Sequence, residues 1–357
     1  MDKKPFVIGL TGNIASGKSV IRNFLANTGA YAIDADLTAQ DTYLPGLPAW
    51  HEILDHFGDD LRMADDQINR SKLGRIVFSD PTEMAVLEKI VHPRVNQMIV
   101  DQVQNCSKPV LVIEAIKLLE SEICLQCDQI WTAAAAENIR FERLVEYRGQ
   151  SETLAWQKIR SQPPQEEKIT RSDVVIWTDR SYKDTYQQTI QALTASNLSL
   201  HHSVQSDALL LSTLLEEDFS FAKDLLENHT NQIWTEERLY QQVGNNLMPV
   251  LKVDGEVVQV ERLGTRQTLA LLTNQTPLKT EQANSLDLIP LLEDWLGGAI
   301  SLLAIRREAM TPKEAWQADY FPGEDGVDHT PAQTYLAFLK EHGLMPGEVW
   351  VKPLKSN

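Results

Sequence analysis

Cysteine is scarce in this chain: Cys106, Cys124 and Cys127 are the only three in 357 residues. An odd, sparse count argues against a disulfide framework and fits a reducing compartment, so a cytoplasmic protein is expected. Cys124-x-x-Cys127 has no second pair of ligands at metal-binding spacing and reads as two semi-buried thiols. Long apolar runs are missing too, and nothing approaches the length of a membrane span. The opening MDKKPFVIGL has an apolar run only as long as a strand and no cleavage site, so it does not read as a signal peptide. Positive charge is in short supply. Lys and Arg number 33 against 50 Asp and Glu, a net charge of -17. Residues 1–197 carry -6 of that and residues 198–357 carry -11. Neither half offers the basic footprint of a nucleic-acid binder, and an anionic membrane surface would repel both. What remains is ordinary globular composition, 43% hydrophobic and 23% charged, in a chain long enough for two domains.

The most informative stretch is VIGLTGNIASGKS, Val7 to Ser19. Phe6–Leu10 reads as a short buried strand, and an apolar-periodic helix begins near Lys18 with Val20, Ile21, Phe24 and Leu25. Between them stands Gly-x-x-x-x-Gly-Lys-Ser, the phosphate-binding loop in its required setting of strand, loop and helix. Backbone N–H groups of Gly12, Asn13, Ile14, Ala15, Ser16, Gly17, Lys18 and Ser19 would hold phosphate oxygens, with Val20 following. Lys18 reaches the β- and γ-phosphates, and the Ser19 hydroxyl can ligate Mg²⁺. ATP and Mg²⁺ are therefore the expected cofactors.

A second strand, Ala30–Ile33, runs into Asp34-Ala35-Asp36. Two carboxylates past the carboxyl edge of a strand lie where parallel α/β sheets place ligands. With the backbone still extended, a spacing of two aims both the same way. One could serve as base for a substrate hydroxyl and the other could orient Mg²⁺-bound water. Asp36 could also cap the helix starting near Leu37. Helices are expected over 48–58 and 70–104, the latter broken at Asp80-Pro81. Arg70, Lys72, Arg75 and Arg94 could face an anionic substrate there, or each could be a solvated charge. His92, before Pro93, could touch substrate or mark a kink. Pro109–Glu114 reads as a strand buried on both faces, with Glu114 at its end as a partner for Mg²⁺-bound water. Strand Gln129–Ala134, helix Glu137–Gly149, helices 151–162 and 164–171, strand Asp173–Trp177 and helix Tyr182–Leu193 complete a three-layer, doubly wound α/β unit.

Several of these segments, in this order, resemble the dephospho-CoA kinase family over residues 5–195. They are LTGNIASGKS, IDAD at 33–36, INRSKLGRIVFSDP at 68–81, LEKIVHPRV at 87–95, KLLE at 117–120, ERLVEYRG at 142–149 and SQPPQEEKITRSDVVI at 161–176. The resemblance implies a P-loop kinase fold with helical substrate and lid insertions. It implies ATP-dependent phosphorylation of the ribose 3′-hydroxyl of dephospho-CoA, the partner molecule. Asp36 would take the hydroxyl proton and Asp34 would assist in orientation. Arg143 would clamp the phosphates from the lid with Arg148 nearby, and Lys117 would fall on the substrate side. The sequence departs from the family pattern at Val20, Gln40, Ile116-Lys117 and Trp177-Thr178-Asp179, where the family's usual Asn is missing. Another small-molecule P-loop kinase, or an ATP-binding scaffold, is the alternative.

Thr194–Asp207 is polar and reads as a linker, placing domains at 1–197 and 208–357 with 198–207 between them. Beyond it the expected order is one helix or two over Ala208–Asn228, helix Glu236–Val243, a hairpin turning at Asp254-Gly255, strand Thr268–Leu272, helix 285–296, strand 300–305, helices 312–319 and 331–342, and strand 348–353. By element order alone this α+β region resembles GNAT acyltransferases. The stretch NQTPLKTEQANS, 274–285, has no glycine where that family binds pyrophosphate. An accessory, non-catalytic domain is the expectation.

Overall fold

The computed structural model of the chain describes residues 4–198 and 200, then 203–206, 209–213, 219–230, 233–245, 248–253, 256–266, 269–274, 302–306 and 349–353. The helices expected at 285–296, 312–319 and 331–342 lie outside the described residues.

A five-stranded parallel sheet, in the order β2-β3-β1-β4-β5, is built from β1 (Phe6–Thr11), β2 (Tyr31–Asp34), β3 (Val110–Glu114), β4 (Gln129–Ala134) and β5 (Val174–Trp177). Every residue of β3 is buried, as a central strand covered on both faces requires. Helix α1 (Lys18–Asn27) places Ile21, Phe24 and Leu25 inward at helical spacing. α2 (Ala35–Asp41), α3 (Pro48–Phe57), α4 (Arg70–Ser79) and α5 (Pro81–Gln104) lie between β2 and β3. Asp80 separates the last two by capping α5, its Oδ1 accepting from Thr82 N at 2.8 Å, with Pro81 as first helical residue. α6 (Glu137–Glu142) opens the helical segment expected to stop at Gly149, where φ is +60°. It passes into a π turn over Arg143–Tyr147. α7 (Glu152–Arg160), α8 (Gln165–Ile169) and α9 (Tyr182–Ala195) finish the unit, and Leu200 still packs in its core.

The remaining strands form a seven-stranded sheet in chain order: β6 (Ser203–Ser206), β7 (Leu209–Thr213), β8 (Pro249–Val253), β9 (Glu256–Arg266), β10 (Leu269–Asn274), β11 (Leu302–Arg306) and β12 (Val349–Pro353). Neighbours are antiparallel except β10 and β11, which run parallel. β6 falls within the expected linker, and β7 stands where a helix from Ala208 was expected. A short apolar run such as ALLLST has no periodicity that separates helix from strand.

Helix α11 (Glu236–Asn245) packs on α1 and α9, and α10 (Phe219–Thr230) packs on α11, Phe219 meeting the Tyr240 ring edge-on at 4.8 Å. Phe219, Ala222, Leu226, Trp234, Leu239, Tyr240 and Val243 share one buried cluster with Phe24 and Tyr186. The Asn27 amide locks the contact. Its Nδ2 donates to Val243 O at 3.0 Å and to Asn23 O at 2.8 Å, and its Oδ1 accepts from Met248 N at 2.7 Å. Asn23 Nδ2 donates to Gly244 O at 2.9 Å. Gly244 lets the helices approach closely, since a Cβ would stand 3.0 Å from the side chains of Phe24, Tyr182 and Val20.

Candidate active site

The carboxyl ends of all five parallel strands converge on the loop after β1. Gly12 takes φ +148°, and a Cβ on it would stand 2.4 Å from Ala133 O. Only glycine fits. Lys18 is buried, and its Nζ donates to Gly12 O at 3.1 Å and Asn13 O at 3.4 Å. Burial holds its ammonium below the usual lysine value, against the opposing pull of Glu114 and then Asp36. Asn13 Oδ1 and Ser16 Oγ are buried without a hydrogen-bond partner. Atoms of this kind in a native interior call for a ligand or ordered water.

The loop is braced from outside by residues far along the chain. Gln162 Oε1 accepts from Ile14 N at 2.7 Å, and Asn13 Nδ2 donates to Pro163 O at 2.9 Å. Thr178 Oγ1 donates to Ser16 O at 2.8 Å. Arg143 belongs to this bracing. Its Nη1 donates to Ala15 O at 3.0 Å and Thr178 Oγ1 at 2.9 Å, and its Nη2 to Thr178 O. From the first residue of the π turn, its Nη1 and Nη2 are bonded to the loop's backbone and to Thr178. Arg148, exposed at the end of that turn, lies near enough for its charge to be felt at Lys18. Where the family's Asn is missing, Asp179 Oδ1 accepts from Ala136 N at 2.7 Å and fixes the loop after β5.

The acidic side differs from the sequence-based picture. Helix α2 begins at Ala35, so Asp34, not Asp36, is its cap, with Oδ1 accepting from Leu37 N at 3.0 Å. The backbone does not stay extended through Asp36, and the two carboxylates part. Strand register sets Asp34 beside Glu114, and Arg22 Nη1 reaches both, at 2.6 Å from Asp34 Oδ2 and 3.0 Å from Glu114 Oε2. Ser19 Oγ donates to Glu114 Oε1 at 3.0 Å. Asp36, in the first turn of α2, keeps part of its surface in water and has protein against the rest. Partial loss of water, and next the charge of Asp34, push its carboxyl up to about 6. Lys168 donates to Ile116 O, and burial followed by the charge of Lys18 brings it down to about 8.

Among the described residues no group of three or more His, Cys, Asp and Glu side chains is gathered as a metal cage. The donors that are present suit Mg²⁺ all the same. Ser19 supplies a hydroxyl, and buried Glu114 Oε2 has no hydrogen bond of good geometry. Mg²⁺ keeps most of its waters and takes few protein ligands. Asp34, expected as a third ligand, has both oxygens engaged by the α2 cap and Arg22.

The expected substrate residues scatter. Arg70 pairs with Gln40 on α2, the helix that carries Asp36. Lys117, after β3, forms an ion pair with Glu88 at 2.7 Å. Arg75 and His92 are exposed on α4 and α5 and make no hydrogen bond or ion pair to the cleft residues among those described. Arg22, Gln162, Lys168 and Thr178 were not singled out from sequence. Each acts across a separation that no local motif spans.

The sequence model of the dephospho-CoA kinase family matches residues 6–184. The dephospho-CoA kinase of Carboxydothermus hydrogenoformans is 37% identical over 190 residues, 52% of this chain and 92% of the relative. That of Thermosynechococcus vestitus is 35% identical over 186 residues, 52% of this chain and 92% of the relative. A solved structure of the dephospho-CoA kinase from Campylobacter jejuni is 22% identical, covers 54% of this chain and 98% of its own, and has a TM-score of 0.40. Through residues 6–184, the chain belongs to the dephospho-CoA kinase family.

Proposed function

We propose that the parallel-sheet unit transfers the γ-phosphoryl group of ATP to the ribose 3′-hydroxyl of dephospho-CoA, giving coenzyme A and ADP. The observation that carries this reading is Asp36 in the first turn of α2, within electrostatic reach of Lys18 in the phosphate loop. Asp36 accepts the hydroxyl proton as the oxygen attacks phosphorus. Lys18 exchanges its two loop carbonyls for phosphate oxygens, and the loop N–H groups hold the rest. Arg148, Lys168 and Lys18 supply the positive charge that steadies the transferring group. Arg143 keeps the loop in shape. Ser19 and Glu114 would hold Mg²⁺, which when bound neutralises charge on the β- and γ-phosphates. No helix of the described residues is long and apolar enough to cross a membrane.

Residues 208–357 are assigned here as an accessory region, tied to the kinase unit through α10 and α11. An ADP-release assay on the full chain with ATP, Mg²⁺ and dephospho-CoA tests the reading. Turnover with dephospho-CoA in clear preference to nucleosides and nucleoside monophosphates is expected. Turnover with one of those alone would move the enzyme to another substrate. ATP bound without any turnover would leave a scaffold.

A further inference from the structure

Arg22 has no place in the mechanism above, yet it occupies the most strongly charged point of the site. Asp34 and Glu114 sit side by side on adjacent parallel strands, at partnered register positions. Neighbouring strands are only about 4.8 Å apart. Glu114 is almost wholly buried, with 7% of its side chain exposed, and Asp34 shows 21%. Two carboxylates so placed repel each other strongly when poorly hydrated. A single nitrogen, Arg22 Nη1, meets both, at 2.6 Å and 3.0 Å. It comes from the helix that also carries Lys18 and Ser19. Positions 18, 19 and 22 stand three and four residues apart, on one face of α1. The guanidinium therefore meets Glu114 Oε2 while Ser19 Oγ holds Oε1 of the same carboxylate. Arg22 stands where a divalent ion's charge would be felt, against the very oxygens that would receive its waters.

We propose that Arg22 is the built-in counter-ion of the Asp34–Glu114 pair. With no nucleotide bound, it neutralises the pair and lowers the site's attraction for a divalent cation alone. The metal then enters with the triphosphate, whose own negative charges offset the guanidinium. Arg22 is thus a positioning residue acting through Asp34 and Glu114. The inference rests on Ser19 and Glu114 being the metal side of the site. Its readout needs neither nucleotide nor turnover, so it can fail while the kinase assignment stands.

The test is Mn²⁺ binding to the nucleotide-free full-length protein, followed by electron paramagnetic resonance of the free ion. Wild type and Arg22→Lys should bind Mn²⁺ weakly. Arg22→Ala and Arg22→Gln should bind it at least about tenfold more tightly, as two uncompensated carboxylates attract a cation. Adding Glu114→Gln to Arg22→Ala should remove the gain, which locates the ion. The melting temperature of Arg22→Ala should rise with millimolar Mg²⁺ while that of wild type stays level. A neutral variant that needs metal to fold would support the proposal in the same way. Neutral variants that fold without metal and bind Mn²⁺ no more tightly than wild type would overturn it. So would Arg22→Lys binding as tightly as Arg22→Ala.

Discussion

Helix α1 joins two regions that treat buried polar atoms in opposite ways. At its N-terminal end, Asn13 Oδ1 and Ser16 Oγ are buried with no hydrogen-bond partner, and Glu114 Oε2 meets only the Arg22 guanidinium, in an ion pair at 3.0 Å. On its outer face the Asn27 amide is just as buried, yet both its nitrogen and its oxygen find partners on α11 and the segment after it. Each orphaned group costs about 1–3 kcal/mol, so two in one loop are tolerated only where something else completes them. The difference separates binding from building. Incomplete polar atoms lie in the phosphate loop, and complete ones hold the chain together.

Substitutions on the two sides should therefore fail in different measurements. The largest effect is expected at Asp36. Asp36→Asn should lower turnover by about 10²–10⁴-fold, the usual worth of a general base, with ATP affinity by calorimetry nearly unchanged. Turnover within a few-fold of wild type would remove Asp36 from that role. Next comes Asn27→Ala, which strands Val243 O and Met248 N. It should cost about 1–3 kcal/mol in urea unfolding and leave ATP affinity within about twofold. A parallel fall in affinity would mean that binding and building are not separable along α1. The smallest effect is that of pH. A base pushed up to about 6 is ionised and competent above that value and protonated as pH falls through it. The rate should drop about tenfold for each unit below, and Asp36→Asn should show no such limb. A wild-type rate that stays level to pH 5 would place the working base elsewhere.

Where chemistry is written in consecutive residues, the sequence carried it. Strand, loop and helix around Gly12–Ser19 have to be adjacent to work, so their pattern is local and legible. The buried run of β3 and the Asp80-Pro81 break between α4 and α5 were readable for the same reason. The cap at Asp34 was not legible, because a two-residue spacing says nothing of where the strand ends. The backbone turns helical one residue later, and Asp34 caps α2. Arg22 was invisible because its partners lie 12 and 92 residues away. Arg143 was identified as important, but its bonds to Ala15 and Thr178 were not readable, since their partners lie far along the chain and a π turn leaves no mark in composition. β7 was taken for helix because a run of leucines satisfies either period.

The Asn27 lock also has a consequence for how the protein is made. Its partner Met248 lies 221 residues further along the chain. At about 5–20 residues per second, a ribosome adds that stretch in about 10–45 s. For that interval the parallel sheet and its phosphate loop can already be assembled while Phe24 and Asn27 wait without α11 to cover them. A nascent chain of this protein thus presents an apolar face with an open amide at its centre, and completing synthesis closes it.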